Sequence, residues 1–262
     1  SNEWGDMSEV RYVAIGDSFT EGVGDERPDG TPRGWADLVA DGLAAAHGRV
    51  DYASLAIRGR LLTPIVTEQL DAALALTPAP TLLSLNGGGN DMLRPRTDLD
   101  ALIGQTSRAV RRCADHGVDV LLLAGPDPSA RLPMSKTVHA RGEILTAAVA
   151  ELAEQIDLTF VDVFHDDEIK RPSYWGQDRL HLNAFGHRRV ADLVLGALGF
   201  PQPDRAAVPT TVGGDGWRDE ISYLGHFVMP WIGRRVARRS SGDGRAPKHP
   251  TWTTIAATSG SG

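Results

Sequence analysis

The feature that most constrains this chain is a regular alternation between two kinds of apolar segment. Short runs rich in Val, Leu and Ile fall at residues 11–15, 50–56, 81–85, 118–124 and 158–163, lengths that suit buried strands. Longer amphipathic stretches separate them, at 35–46, 61–76, 99–116, 141–155 and 184–198. The third is typical. Leu99, Leu102, Ile103, Thr106, Ala109, Val110 and Cys113 recur at three- and four-residue steps, while Arg108, Arg111, Arg112 and Asp115 fall elsewhere, the pattern of a helix with one buried face. Strand–helix alternation implies a parallel sheet with helices on both faces. Right-handed crossovers then favour a flavodoxin-like three-layer α/β/α fold around a five-stranded parallel sheet. In such sheets ligands bind beyond the carboxyl ends of the strands, so the polar residues that follow each run are the candidate site.

The 262 residues allow one such domain plus an extension. We expect the domain over residues 7–200, with residues 1–6 a tag remnant and Met7 the native start. Beyond Phe200, Pro201, Pro203, Pro209 and several glycines mark a linker-like segment. A helix over 218–239, interrupted at Pro230, and a poorly ordered end are expected there, with no sixth strand–helix unit. Hydrophobic content of 41% and charged content of 23% are those of an ordinary globular protein. A net charge of −7 offers no general attraction to nucleic acid. Cys113 is the single cysteine, so no internal disulfide forms. No apolar run reaches membrane-spanning length and no signal-peptide pattern opens the chain, so a cytoplasmic location is expected. The apolar residues 227–232 next to Arg234, Arg235, Arg238 and Arg239 suggest either peripheral membrane contact through 227–239 or packing on the domain body.

Four short motifs follow predicted strands. The first is Gly16-Asp17-Ser18-Phe19-Thr20-Glu21, where a glycine permits a sharp turn and Ser18 opens a helix whose N–H groups are free to face developing negative charge. Simple helix capping by Asp17 or Ser18 is the competing reading. The second is Asn86-Gly87-Gly88-Gly89-Asn90-Asp91, whose Asn90 amide can donate to an oxyanion. A phosphate cradle is disfavoured, because neither glycine-rich nucleotide fingerprint is present. The third, Asp178-Arg179-Leu180-His181, spaces a carboxylate and an imidazole so that one turn brings them together. Asn183 is expected to cap the helix that follows. The fourth, Ala56-Ile57-Arg58-Gly59-Arg60, places a glycine N–H where it can join the others.

Taken together, these blocks resemble the SGNH/GDSL hydrolase family, in which Ser, Gly, Asn and His blocks run in this order. The resemblance covers roughly residues 10–200. It implies a Ser18–His181–Asp178 triad, an oxyanion hole made by Ser18 N–H, Gly59 N–H and the Asn90 side chain, and an ester substrate with no metal or cofactor. One departure is Ser54-Leu55-Ala56, where family members often carry Asn-Leu-Ala; Ser54 is expected to take over some of that asparagine's hydrogen bonding. Asp17, Met92 and Leu93 are candidate substrate-binding residues, with Arg94, Pro126 and Asp127 near the same cleft. Met92 and Leu93 read equally well as helix packing, and His187 as a helix-surface or supporting residue rather than a ligand. The implied function is a serine esterase for small carboxylic esters, of short acyl chain. The alternatives are a carbohydrate O-deacetylase, an acyl thioesterase or a lysophospholipase with the same triad. A non-catalytic flavodoxin-like binding module is the reading of a different class.

Overall fold

The computed structural model describes residues 9–131, 135–200, 242 and 244–257. The expected helix over 218–239, the apolar–basic segment 227–239 and residues 1–6 lie outside these. Five parallel strands form as the apolar runs predict: β1 Arg11–Ile15, β2 Arg49–Ser54, β3 Leu82–Leu85, β4 Asp119–Ala124 and β5 Thr159–Asp162. The helices are α1 Ser18–Glu21, α2 Gly34–His47, α3 Leu62–Pro64, α4 Leu70–Leu74, α5 Gly89–Met92, α6 Leu99–Asp115, α7 Ser135–Gln155 and α8 Ala184–Ala197. A π-helical turn, Ile65–Gln69, joins α3 to α4.

The sheet has six strands where five were expected. β6, His249–Ala256, pairs antiparallel with β2 and closes the order β5-β4-β3-β1-β2-β6. The first five strands keep the doubly wound 2-1-3-4-5 arrangement. The sixth comes from the stretch read as a poorly ordered end. Its Thr251, Trp252, Thr253, Thr254 and Ile255 are strong strand formers, and Pro250 is tolerated because the strand lies at an edge. Trp252 Nε1 donates to Pro78 O at 3.0 Å, and Thr254 Oγ1 donates to Asp51 Oδ1 at 2.6 Å.

Each face of the sheet buries its own core. Along β1, Tyr12 and Ala14 pack towards α2 and α8, while Val13 and Ile15 pack towards α3, α4, α6 and α7, the two-residue period of a strand buried on both faces. At about 25 cal/mol per Å² of apolar surface, these paired cores supply the main drive to fold. They also hold the carboxyl ends of β1, β2 and β3 in register, with Ala14 opposite both Ser54 and Ser84. Three of the four motifs therefore leave the sheet side by side.

Candidate active site

At the end of β1 the chain turns at Gly16 and enters α1 at Ser18. A Cβ on Gly16 would overlap the Thr20 side chain, so the turn is closed to any larger residue. Asp17 caps α1, accepting from Phe19 N at 3.1 Å. The cap falls to Asp17, which leaves Ser18 facing the cleft. Ser18 Oγ lies 3.0 Å from His181 Nε2, and His181 Nδ1 lies 2.5 Å from Asp178 Oδ2. With Nδ1–H donating to the carboxylate, Nε2 is left as the acceptor for the serine proton.

The loop bearing Asp178 and His181 is tightly determined. Asp178 Oδ1 accepts from the N–H groups of Leu180 and His181 at 3.1 and 3.0 Å. Arg179 between them adopts φ 54°, a left-handed conformation uncommon outside glycine and found where a site demands it. Gly176 N donates to His181 O at 2.8 Å, closing the loop. Asn183 caps α8 as expected, accepting from Phe185 N and Gly186 N. Burial alone would raise the Asp178 pKa, but the hydrogen bond and charge of His181 hold it below the ordinary carboxylate value.

Gly59 adopts φ +76°, which a residue with a side chain would take only at a cost. Among the described residues, neither its N–H nor that of Ser18 has a backbone acceptor outside the helices and strands. Asn90 lies on α5, and its Nδ2 donates to Asp17 Oδ2 at 3.1 Å and to Arg60 O at 3.0 Å. It therefore ties the serine turn to the glycine loop. Burial raises the Asp17 pKa to about 6, against the lowering effect of the Phe19 N–H. Asp91 accepts from Leu62 N at 2.9 Å.

Ser18, Gly59, Asn90, Asp178 and His181 all line one cleft of about 1320 Å³. Asp17, Met92 and Leu93 line it too, and Met92 also packs against the core below, so both readings of Met92 meet. Pro126 borders the cleft, but Asp127 does not: its carboxylate turns to Ser129 and His139. His187 is fully buried rather than on a helix surface. Its Nδ1 accepts from Trp35 N, its Nε2 donates to Val23 O, and burial lowers its pKa to about 4. Ser54 is sealed inside β2, and its hydroxyl makes no hydrogen bond to the Gly59 loop.

That loop is held by residues the sequence reading did not single out. Glu21, nearly buried, receives Arg58 N at 2.6 Å and Arg58 Nη2 at 2.6 Å. Gln69, in the π turn, binds both polar groups of Gly16, and such turns often mark functional sites. Arg141 Nη1 donates to Met92 O and Arg94 O, each at 2.7 Å. A signal for Gln69 did exist: it is an uncharged polar residue on the buried stripe of Val66, Leu70 and Ala73.

Comparison with known proteins agrees with this architecture. The sequence model of the GDSL-like Lipase/Acylhydrolase family matches residues 14–189. A GDSL lipase of Mycobacterium tuberculosis is 31% identical over 197 residues, covering 70% of this chain and 78% of the relative. Among solved structures, a catalytic mutant of an acetylxylan esterase from Geobacillus stearothermophilus superposes with a TM-score of 0.62 at 20% identity, covering 76% of this chain and 100% of that one. A psychrotrophic esterase from Pseudoalteromonas sp. gives 0.59 at 18% identity, covering 73% and 97%.

Proposed function

The chain belongs to the GDSL-like lipase/acylhydrolase family and is a serine hydrolase of ester bonds, and from that premise we propose that it cleaves short-chain carboxylic esters through an acyl-enzyme formed on Ser18. The observation that carries this reading is the unbroken hydrogen-bonded line from Ser18 Oγ through His181 to Asp178, opening into a cleft. His181 Nε2 takes the serine proton as Oγ attacks the ester carbonyl. Asp178 holds the imidazole tautomer and stabilises the imidazolium that forms. The N–H groups of Ser18 and Gly59 face the developing oxyanion. Asn90 Nδ2 joins them by turning one N–H from Asp17 or Arg60 towards it.

Collapse of the tetrahedral intermediate expels the alcohol, which receives the proton from His181. Water then enters and gives a proton to His181 as its oxygen attacks the acyl carbon. The second tetrahedral intermediate breaks its bond to Oγ, which takes the proton back from His181 and leaves the acid and free Ser18. The acetyl ester implied by the name of the Geobacillus relative is of the short-chain class proposed. The experiment is hydrolysis of p-nitrophenyl esters from acetate to palmitate, with Ser18→Ala alongside and fluorophosphonate labelling of both. Turnover greatest on short chains and lost in Ser18→Ala supports the proposal. Turnover undiminished in a folded Ser18→Ala overturns it.

A further inference from the structure

The cleft is two-toned. Its apolar wall comes from Val138, Leu145 and Val149 on α7, with Phe164 after β5. The same cleft is also lined by Arg60, Arg94, Arg96 and Arg245. None of these four guanidinium groups forms a side-chain hydrogen bond or ion pair with any described residue. Several other arginines do find acids, Arg58 with Glu21, Arg33 with Asp25, Arg112 with Asp71 and Arg189 with Asp166.

This clustering runs against the overall composition, because acidic residues outnumber basic ones, 34 to 27. The acids at the cleft do not answer it. Asp178 is engaged by His181, and Asp17 by Phe19 N–H and Asn90. Asp91, which feels the charge of Arg94, accepts from Leu62 N. The four arginines also come from three separate segments: the Gly59 loop, the turn after α5, and the approach to β6. Lys248, three residues after Arg245, is anchored by hydrogen bonds to Glu21 O and Arg33 O at 2.8 and 2.6 Å, which ties the Arg245 segment to α1 and α2.

We infer that the substrate is an ester whose acyl half is apolar and whose alcohol half carries a phosphate-type anion, bound by Arg60, Arg94, Arg96 and Arg245. Guanidinium groups suit this ligand because their planar fork can give two parallel hydrogen bonds to a phosphate. A basic rim on an acidic protein also draws an anionic substrate to its mouth. The cleft, at about 1320 Å³, is far larger than a short acyl group requires, which leaves room for a charged alcohol half. The bond cleaved remains the carboxylic ester, so the phosphate is recognised and left intact. The inference rests on the esterase reading above.

The test compares two substrates with the same scissile ester, 1-butyrylglycerol and 1-butyrylglycerol 3-phosphate. The phosphate ester should show kcat/KM higher by about tenfold or more, chiefly through KM, as charge-assisted contacts provide. The advantage should shrink at 0.5 M salt, where charges at the cleft mouth are screened. In the double variant Arg94→Gln/Arg245→Gln the ratio of the two kcat/KM values should fall at least fivefold, whereas Arg111→Gln on the outer face of α6 should keep it. Inorganic phosphate should inhibit competitively. A palmitoyl pair presented in phosphatidylcholine vesicles separates the sources of the anion. Preference already seen with the soluble butyryl pair assigns a small phosphorylated ester, and preference confined to vesicles assigns a lipid headgroup; either supports a phosphate site. Equal Ser18-dependent turnover of the phosphate and neutral esters, or a preference that survives the double variant, overturns this inference and leaves the esterase reading standing. Loss of all ester turnover together with absence of Ser18 labelling overturns both.

Discussion

Gln69 holds both polar groups of Gly16, its Oε1 accepting from Gly16 N at 2.8 Å and its Nε2 donating to Gly16 O at 3.0 Å. Gly16 is two residues before Ser18, the proposed nucleophile, so this pair sets the height of the turn that presents it. The π-helical turn from Ile65 to Gln69 aims the amide at that turn. Gly16 O has a second donor in Ile57 N, at 3.2 Å, but the N–H has only Gln69. Gln69→Met, which keeps the volume and removes both bonds, should cost about 1–3 kcal/mol of stability for the orphaned N–H. It should also lower kcat roughly 10–100-fold by displacing Ser18. Denaturant unfolding and ester kinetics on the same preparation check both numbers. An unchanged kcat would show that the turn keeps its shape without the amide.

Asp178 and Asn90 should separate in their kinetic effects. Asp178→Asn removes the carboxylate that fixes the imidazole tautomer, and kcat should fall by about 10⁴. Asn90→Ala removes one proposed oxyanion donor and should cost about 10²–10³ in kcat. It should also loosen Asp17, which receives its Nδ2 at 3.1 Å. Neither change touches the cores, so both variants should unfold cooperatively. A fall in Asn90→Ala confined to KM would remove this residue from the transition state.

Much of the fold could be read from the sequence because parallel strands buried on both faces leave unbroken apolar runs. β1 lies where its run lies, and α6 ends within a residue of its expected limit. The meeting of Asp178 and His181 was legible for a related reason: they are three residues apart, so one local loop brings them together. What was not legible depends on contacts across the chain. Gln69 meets Gly16 over 53 residues, and Glu21 meets Arg58 over 37. Nothing in either segment states its partner. β6 carries Pro250 next to its start and follows a Gly- and Ser-rich stretch. Only the open edge of β2 turns it into a strand.

The pH dependence of stability should reveal the buried Asp17. Its folded pKa is raised to about 6 from 3.8, burial being the main cause. The folded state therefore holds this proton more tightly than the unfolded chain does. The contribution of Asp17 is most favourable below pH 3.8 and is lost as pH rises through 6. A shift of about two pH units corresponds to roughly 3 kcal/mol. Asp17→Asn should then raise Tm at pH 8 relative to wild type and have little effect at pH 4. His187 acts in the opposite sense, because its pKa falls to about 4 from 6.5. Its contribution is full above pH 6.5 and is lost as pH falls through 4. The two partly cancel between pH 4 and 6, so the difference between wild type and Asp17→Asn is the quantity to measure. A Tm difference that stays constant from pH 4 to 8 would contradict the raised pKa.

Arg58 joins the Gly59 loop to α1 through Glu21, with side-chain exposures of 20% and 10%. Arg58→Met would leave the Glu21 carboxylate nearly buried, with the backbone N–H of residue 58 as its remaining donor in that loop. Loss of one partner of such a pair should cost about 2–4 kcal/mol, and the freed loop should misplace the Gly59 N–H. Thermal unfolding should show the first effect. The second should appear as a fall in kcat exceeding any rise in KM, with partial rescue by Arg58→Lys. Equal activity in Arg58→Met would show that Gly59 is placed by its own φ alone.

Lys248 provides the sharpest test of whether the segment leading into β6 belongs to the catalytic domain. Its Nζ lies 2.9 Å from Asp37 Oδ1, and its donors also reach Glu21 O at the end of α1 and Arg33 O at the start of α2. Burial pulls its pKa down, opposed by the Asp37 charge. Asp37 is itself buried and accepts from Tyr52 on β2 at 2.8 Å. One ammonium group thus joins α1, α2 and the approach to β6. Lys248→Met should leave Asp37 undercompensated in the interior and cost about 3–5 kcal/mol, a fall in Tm of roughly 6–20 °C for a domain of this size. Asp37→Asn keeps a hydrogen-bond acceptor for Tyr52 and removes the charge. If the ion pair is the link, Asp37→Asn/Lys248→Met should be no worse than Lys248→Met alone, the non-additivity expected of groups in contact. Hydrogen exchange on the same variants should then show β6 amides losing protection while those of β1, β3 and β4 keep theirs. If β6 stays protected in Lys248→Met, its pairing with β2 holds the strand without the anchor, and the position of Arg245 at the cleft would owe nothing to Lys248.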